Sequence, residues 1–185
     1  ASLNNLEIAM KISVFGGSEP KPGSPAYLEA LELGQLIATQ GHTAMTGGYM
    51  GTMEAVSKGA NDAGGHVIGV TCEEIEAWRP IGANTWVIEE VRCRTLRERL
   101  EYLTERCDCA IALPGGAGTL TEIMLIWNQM LINAIPLVPI ILIGAGWRAV
   151  LNDTLHTHFS DYIHSDSQKL LTFVESPRDV IHFLK

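Results

Sequence analysis

The sequence lacks an excess of basic residues. Of its 185 residues, 13 are lysine or arginine and 21 are aspartate or glutamate, which gives a formal net charge of -8. This charge disfavours binding to phosphate backbones and anionic membrane surfaces, so we expect neither a nucleic acid nor a membrane among its partners. A small phosphorylated ligand remains compatible with this charge, because a few local hydrogen-bond donors can hold it.

Long hydrophobic runs are also missing. The longest apolar stretch, residues 134–146, contains two prolines and is too short to cross a bilayer. Residues 1–10 lack the basic segment and the apolar segment of a secretory signal. We therefore expect a cytoplasmic protein.

The cysteines and histidines do not have the spacing of metal ligands. None of the four cysteines forms a Cys-x-x-Cys pair. His156 and His158 are two positions apart, which on a helix points them in different directions. A structural metal site needs several such ligands close together, so we expect no metal and four reduced thiols.

The amino-acid composition is typical of a folded domain. Hydrophobic residues make up 46% of the chain and charged residues 18%, which is typical of a globular protein with a sizeable core. No linker, repeat or low-complexity tract interrupts the sequence. We expect residues 1–185 to form a single nucleotide-binding domain.

Short apolar runs alternate with longer amphipathic segments along the chain. This alternation is typical of a parallel sheet with helices on both faces, so it predicts a doubly wound, Rossmann-like α/β fold of about six or seven strands. The predicted strands are residues 11–15, 42–46, 66–71, 85–91, 109–114, 139–144 and 169–174. The predicted helices are residues 25–41, 51–65, 94–107, 118–133, 146–159 and 176–185. Irregular structure is predicted for residues 72–84.

Three glycine-rich loops each follow a predicted strand. We call residues 15–24 the first loop, residues 46–52 the second loop and residues 114–119 the third loop. In a parallel sheet the strand ends that precede such loops share one edge, and ligands bind there. Backbone amides of such loops and the starts of the following helices can hold an anion, although one such loop alone is also ordinary turn chemistry. The predicted phosphate-binding residues are Gly17, Ser18, Gly47, Gly48, Gly51, Thr52, Gly115, Gly116, Gly118 and Thr119.

The motifs of two large nucleotide-binding classes are absent. The first loop has no Gly-x-Gly-x-x-Gly pattern, and the chain contains no Gly-x-x-x-x-Gly-Lys-Ser/Thr pattern. A standard dinucleotide site and a P-loop are therefore not expected. A mononucleotide or another phosphorylated small molecule fits the three loops better.

Glu122 allows two interpretations. Thr119 and Glu122 have the spacing of a capping box, in which they satisfy each other's backbone amides at a helix start. Alternatively, Glu122 faces the ligand, where a carboxylate can stabilise a cationic sugar and orient a water molecule. The predicted helix 94–107 could supply a partner, because an arginine fork is a good clamp for phosphate or sugar. The pattern does not decide which of its arginines points to the site.

The segments PGGAGTLTE (114–122), GGYMGTM (47–53) and LRERLEYLTERCDCAIALPGG (96–116) together resemble the LOG family of cytokinin-activating proteins and their bacterial relatives. The resemblance implies a Rossmann-like homodimer without a cofactor. It also implies hydrolysis of the N-glycosidic bond of a nucleoside 5'-monophosphate, such as AMP, to free base and ribose 5-phosphate. Arg99 and Glu122 match the catalytic arginine and glutamate of the family, whereas Leu96 and Leu100 stand where its motif has methionine and lysine.

Two alternatives accompany this resemblance. A related branch, the molybdenum-cofactor carriers, shares the glycine loops and binds a phosphorylated pterin without turnover. Members of the superfamily have also been labelled lysine decarboxylases, but a pyridoxal enzyme needs a Schiff-base lysine. Of the five lysines only Lys21 lies near a ligand-facing strand end, so we do not expect decarboxylation. Residues 122–132 are apolar around most of a helix, which predicts burial in a core or a dimer interface.

Overall fold

A seven-stranded sheet forms the centre of the computed structural model, which describes residues 9–164 and 166–184. Its strand order is β4-β3-β2-β1-β5-β6-β7, and every neighbouring pair is parallel. The predicted Rossmann-like α/β fold is therefore confirmed. The strands are β1 Lys11–Phe15, β2 Thr43–Thr46, β3 Val67–Cys72, β4 Glu89–Cys93, β5 Cys109–Ala112, β6 Ile140–Ile143 and β7 Leu171–Val174.

Helices cover both faces of the sheet. The α-helices are α1 Pro25–Thr39, α2 Thr52–Asp62, α3 Glu73–Trp78, α4 Leu96–Glu105, α5 Ala117–Leu131, α6 Ala145–Trp147 and α7 Leu155–Phe159. A π-helical segment, Arg148–Thr154, joins α6 to α7, and 3-10 turns lie at Ser160–Tyr162, Ser167–Leu170 and Pro177–Phe183. No helix in the ranges 9–164 and 166–184 combines the length and apolarity that crossing a membrane requires.

The alternation of side chains along β1 divides the core into two layers. Ile12 and Val14 pack in the layer formed with α1 and α2, and Phe15 packs in the layer formed with α5. Successive side chains of a strand point to opposite faces, so a strand buried on both faces reads as continuously apolar. β5 and β6 have this character, and β1, the middle strand of the sheet, is buried from Ile12 to Phe15 with Ser13 as its one buried polar residue.

The strand order reverses between β1 and β5. From β1 the sheet continues through β2 and β3 to β4 on one side, and through β5 and β6 to β7 on the other. At such a switch point the loops after the two central strands diverge, and they leave a crevice at the carboxyl ends. The first loop follows β1 and the third loop follows β5, so both border this crevice.

The segment between β3 and β4 differs from its prediction. Residues 73–78 form helix α3 rather than irregular structure, and β4 begins at Glu89 rather than at residue 85. Asn84 explains the late start of β4, because its side-chain carbonyl accepts the amide of Trp86 and its backbone carbonyl accepts the amide of Val87. These bonds hold the chain in a turn, which delays its pairing with β3.

The carboxyl-terminal helices also differ in kind from their predictions. The helix predicted for residues 146–159 is interrupted by a π-helical segment, and the one predicted for residues 176–185 is a 3-10 turn over Pro177–Phe183. Lys185 lies outside the described residues. The four cysteines are free and buried.

Candidate functional site

A cavity of about 390 Å³ lies at the switch point of the sheet. Residues 16–19 of the first loop form one wall, and residues 116–119 of the third loop form the next. Helix α3 contributes a third wall. The side chains between these walls are Tyr49, Met53, Arg99 and Glu122. Parts of all three glycine loops and of the predicted arginine helix thus line the cavity.

The third loop presents a helix start to the cavity. Helix α5 begins at Ala117 after the N-cap residue Gly116, and no side chain caps it. Residues 114–118 are exposed. The first amides of a helix have no partner within the helix, and they attract anions. The start of α5 is therefore an open set of hydrogen-bond donors on the cavity wall.

The glycines of the third loop have two different roles. A Cβ at Gly115 would collide with the Thr119 hydroxyl, so packing requires glycine there. A Cβ at Gly116 or Gly118 would meet no atom within 4 Å. The backbone at these two positions is open to a ligand, whereas Gly115 lets the loop fold against α5. Gly115 itself borders a smaller apolar cavity of about 190 Å³ beside Trp147.

The capping-box interpretation of Thr119 and Glu122 is wrong. Because α5 begins at Ala117, Thr119 is the third residue of the helix and Glu122 is the sixth. Their spacing of three places both on one helix face, and this face is buried, with exposures of 3% and 8%. A capping box does form at the start of α4, between Thr95 and Glu98. Glu122 therefore has no capping function that would account for a buried carboxylate.

Arg99 is the arginine of α4 that turns towards the cavity. Its side chain is buried, whereas Arg94, Arg97 and Arg106 are exposed. Its Nε donates a hydrogen bond to the Val70 carbonyl at 2.8 Å, and its Nη2 donates one to the Gly47 carbonyl at 3.1 Å. The carboxyl ends of β2 and β3 thereby fix the guanidinium, and Nη1 is left to face Glu122.

The Arg99 Nη1 and Glu122 Oε1 atoms are 3.7 Å apart. Burial disfavours the charged carboxylate and raises the pKa of Glu122 to about 7, while the positive charge of Arg99 partly opposes this increase. A carboxyl group that titrates near neutral pH can both accept and release a proton. Perturbed carboxyl groups in a cavity are frequent at active sites.

The first loop joins the other two loops. The Gly17 amide donates to the Pro114 carbonyl at 3.3 Å, and the Gly17 carbonyl accepts bonds from the Thr52 amide at 2.9 Å and hydroxyl at 3.0 Å. Gly51 has a φ of 71°, and a Cβ there would come within 2.6 Å of Ser18. Glycine at position 51 therefore permits the close approach of the first and second loops.

The second loop lies behind the cavity. Gly47, Gly48, Gly51 and Thr52 are buried, and a Cβ at Gly47 would collide with the guanidinium of Arg99. The Thr52 hydroxyl is already bonded to Gly17. The predicted residues that line the cavity are Gly17, Ser18, Arg99, Gly116, Gly118, Thr119 and Glu122. The second loop supports Arg99 and the first loop, while a phosphate-binding role for any of these residues stays a prediction.

Sequence reasoning missed several residues that hold or line the site. The Tyr49 hydroxyl accepts a bond from the Cys72 amide at 2.7 Å and donates one to the Cys72 carbonyl at 3.1 Å. The side-chain amide of Asn84 donates to the carbonyls of Gly48 and Tyr49. Both fix the second loop. No sequence signal identifies them, because each acts on a segment more than twenty residues away in the chain.

Trp78 and Arg79 were also missed. Both line the cavity, at the end of helix α3. The sequence did contain a signal for helix α3, because Glu73, Glu74 and Glu76 place negative charge in its first turn, where the helix dipole favours it. Ile75 and Trp78, three positions apart, share a helix face.

The lining of this cavity does not suit two kinds of cofactor chemistry. Within residues 9–164 and 166–184, no three histidine, cysteine or acidic side chains converge as metal ligands. No lysine belongs to the described lining of the cavity, and Lys21 is exposed. A pyridoxal Schiff base needs a lysine amine, so the residues at this site do not fit that cofactor.

The chain is similar to several known proteins. The sequence model of a family described as "Possible lysine decarboxylase" matches residues 53–184. A cytokinin riboside 5'-monophosphate phosphoribohydrolase of Mycobacterium tuberculosis is 31% identical over 168 residues, which are 85% of this chain and 87% of that protein. A probable cytokinin riboside 5'-monophosphate phosphoribohydrolase of Oryza sativa subsp. japonica is 32% identical over 129 residues, 68% of this chain. That match spans only about half, 52%, of the rice protein's length.

A solved structure is also similar over nearly the whole chain. The molybdenum cofactor binding protein from the phototrophic bacterium Rippkaea orientalis superimposes with a TM-score of 0.72 and 25% sequence identity, and the match covers 96% of each chain. The chain is thus similar in sequence to proteins named as phosphoribohydrolases and in fold to a protein named as binding the molybdenum cofactor.

Proposed function

The chain belongs to the LOG family, whose sequence model carries the description possible lysine decarboxylase, and from this premise we propose that it is a phosphoribohydrolase. It cleaves the N-glycosidic bond of a purine nucleoside 5'-monophosphate such as AMP, giving free base and ribose 5-phosphate. The observation that carries the proposal is the buried pair of Arg99 and Glu122 beside the uncapped start of α5.

The phosphate binds first in this proposal. The open amides at the start of α5, around Gly116 and Gly118, hold its oxygens, and the helix dipole adds to their attraction. Ser18 faces the same cavity from the first loop. This arrangement fixes one end of the ligand, so that the sugar lies over the buried carboxyl group.

Glu122 then acts at the sugar. As the bond between C1' and the base nitrogen breaks, its electron pair leaves with the base and the sugar becomes cationic. The ionised carboxylate stabilises this cation and accepts a proton from the attacking water, whose oxygen forms the new bond to C1'. The departing base takes up a proton. Arg99 holds Glu122 in position and favours its ionised form through the 3.7 Å contact.

Leu100 stands where the family's motif has lysine. It lines a separate surface groove with Thr121 and Leu125, and it is not part of the described lining of the cavity around Glu122. The proposed hydrolysis therefore assigns no role to position 100.

The test is incubation of the purified protein with AMP, with free adenine and ribose 5-phosphate as the measured products. Glu122→Ala should abolish release of the base, and the matched variant Glu32→Ala should not, because Glu32 pairs with Arg178 away from the cavity. Absence of base release from AMP and other purine monophosphates would contradict the proposal.

A carrier protein for a phosphorylated pterin is the second candidate. It is favoured by the similarity to the cofactor binding protein of Rippkaea orientalis over 96% of both chains. A carrier would bind its ligand saturably and release it unchanged. Calorimetry with a phosphorylated pterin, combined with analysis of the ligand afterwards, separates this candidate from the hydrolase.

We further propose that the protein is a cytoplasmic homodimer. Helix α5 has Met124 and Leu131 at its surface, with exposures of 39% and 41%. A groove beside it is bordered by Phe159 and Tyr162, which are exposed as well. An apolar face of this kind is typical of an interface.

A further inference from the structure

The end of helix α3 presents two side chains that neither the core nor the catalytic pair uses. Trp78 is 77% exposed, and it lines the cavity together with Arg79. The Arg79 guanidinium carbon lies 5.3 Å from the centroid of the Trp78 ring. An indole with this exposure contributes little to the core, and its position on the cavity wall makes it available to a ligand.

Arg79 has unused hydrogen-bonding capacity. Its Nε is buried and lacks a hydrogen-bond partner among the described residues. Its Nη1 is 3.6 Å from the sulfur of Met50, which is a weak acceptor. No ion pair joins it to a carboxylate of the described chain, in contrast to Arg92 and Arg178. Because Nε is enclosed by the protein, the two Nη groups are the donors that this guanidinium can offer to acceptors on a ligand in the cavity.

The sheet places this helix end opposite the proposed phosphate site. Helix α3 follows β3 and α5 follows β5, and β2 and β1 lie between these strands. Three strand intervals of roughly 4.8 Å separate β3 from β5 by about 14 Å, and α3 and α5 begin at the ends of these two strands. Arg99 bonds to carbonyls at the ends of β2 and β3, and so lies between them. A ligand with its phosphate at α5 and its sugar over Glu122 therefore extends its heterocycle towards Trp78 and Arg79.

We propose that Trp78 and Arg79 bind the heterocycle and select one that carries a carbonyl oxygen next to a ring-nitrogen acceptor. This inference rests on the proposed placement of phosphate and sugar. Trp78 stacks on any planar ring, whereas Arg79 is selective because it has donors only. The O6 and N7 atoms of guanine or hypoxanthine accept both bonds of an arginine fork, but adenine places an amino donor beside N7. The preferred nucleotide is a 6-oxopurine 5'-monophosphate.

An oxidised pterin carries the same pair of acceptors, O4 and N5, so the inference applies to both candidate functions. The shared chemistry is a planar oxo-heterocycle linked to a phosphate. The two sources are distinguished by using GMP, IMP and AMP in one set of titrations and 6-hydroxymethylpterin phosphate in another.

The experiment is calorimetric titration of the full chain carrying Glu122→Gln, which is expected to leave the ligands intact. GMP and IMP should bind about tenfold or more tightly than AMP, the effect of one bidentate contact. Arg79→Gln should reduce this ratio to near one, while Arg178→Gln, a matched change at an exposed arginine, should preserve it. Trp78→Ala should weaken all nucleotides by about tenfold, and Trp78→Phe should retain most of the affinity because it keeps a ring.

The outcomes separate this inference from the proposed hydrolysis. Tightest binding of GMP and IMP indicates that the ligand is a nucleotide, and tightest binding of the pterin phosphate indicates a carrier ligand. Either result supports the role of Arg79. Equal binding of AMP and GMP, or a ratio unaffected by Arg79→Gln, overturns it, and so does absence of binding by all four ligands. If Arg79→Gln does not fold, Arg79→Lys keeps the charge without the fork and should lose the same preference.

Release of free base is measured separately, with Glu122 intact. A protein that binds with the expected preference but releases no base contradicts the hydrolase proposal and leaves the inference standing. A protein that hydrolyses AMP and GMP equally well, with or without Arg79, supports the hydrolase proposal and contradicts the inference about Arg79.

Discussion

Arg99 and Glu122 meet at 3.7 Å although they lie on different helices, α4 and α5. Arg99 is held by carbonyl groups at the ends of two strands, so its position does not depend on Glu122. The carboxyl group therefore lies beside a fixed positive charge in a site that burial makes unfavourable for its own negative charge. Several properties of the protein follow from this balance.

The first expectation concerns the pH dependence of base release. If ionised Glu122 is the active form, kcat/KM should rise with pH through about 7, the value to which burial raises the pKa of this group. Arg99→Gln removes the charge that favours the carboxylate, so it should move this rise to higher pH. A profile that is flat between pH 5 and pH 8 would be inconsistent with Glu122 as the base.

The second expectation concerns stability. The folded protein holds a proton on Glu122 at pH values where the unfolded chain, with an ordinary pKa of 4.5, has released it. The free energy of unfolding should therefore fall as the pH rises from about 4.5 to 7, by on the order of 3 kcal/mol from this group. The Glu122→Gln variant should not show this fall in the free energy of unfolding, because the glutamine amide does not titrate. Urea titrations at pH 5 and pH 8 should show the variant gaining stability relative to the original protein at the higher pH.

Replacement of the side chain has its own effect on stability in the Gln variant at both pH values, so the comparison between the two pH values is the informative quantity. An equal stability difference at pH 5 and pH 8 would show that the pKa of Glu122 is not raised. Glu32→Gln is a suitable control because Glu32 is paired on the surface.

The third expectation contrasts two glycines of the third loop. Gly115→Ala places a Cβ against the Thr119 hydroxyl, and it should lower the melting temperature and the activity together. Gly118→Ala meets no atom within 4 Å and lies in the first turn of α5, so stability should be unchanged or slightly higher. If its amide approaches the phosphate, Gly118→Ala should nevertheless raise KM. Unchanged KM would place the phosphate elsewhere.

The fourth expectation concerns assembly. Sedimentation should give the mass of a dimer, and Met124→Glu with Leu131→Glu should shift it to the monomer because charge is then buried at the apolar face of α5. Leu28→Glu changes a residue that is 53% exposed on α1 and should leave the dimer intact. A monomer in the unchanged protein would contradict the proposed interface.

Much of the framework could be predicted from local patterns. The apolar run 109–112 identifies a strand buried on both faces, and the β-branched and aromatic residues within 11–15 identify another strand. Glycine after such a strand marks a loop, and the three glycine loops were found in this way. The α4 capping residues Thr95 and Glu98 show that such signals are physically real, yet the same spacing at Thr119 and Glu122 serves a different purpose.

The sequence by itself determined the alternation of strands and helices, because periodicity depends on near neighbours, and its resemblance to the LOG family singled out Arg99 and Glu122. Only the tertiary structure decided that Gly47 supports Arg99 while Gly118 is open, since Gly47 packs against a side chain distant in the sequence and Gly118 has no atom within 4 Å of a Cβ. It also revealed Trp78 and Arg79 as part of the cavity. The strand order brings their helix to the edge where the third loop lies, and strand order arises from long-range pairing that no local pattern records.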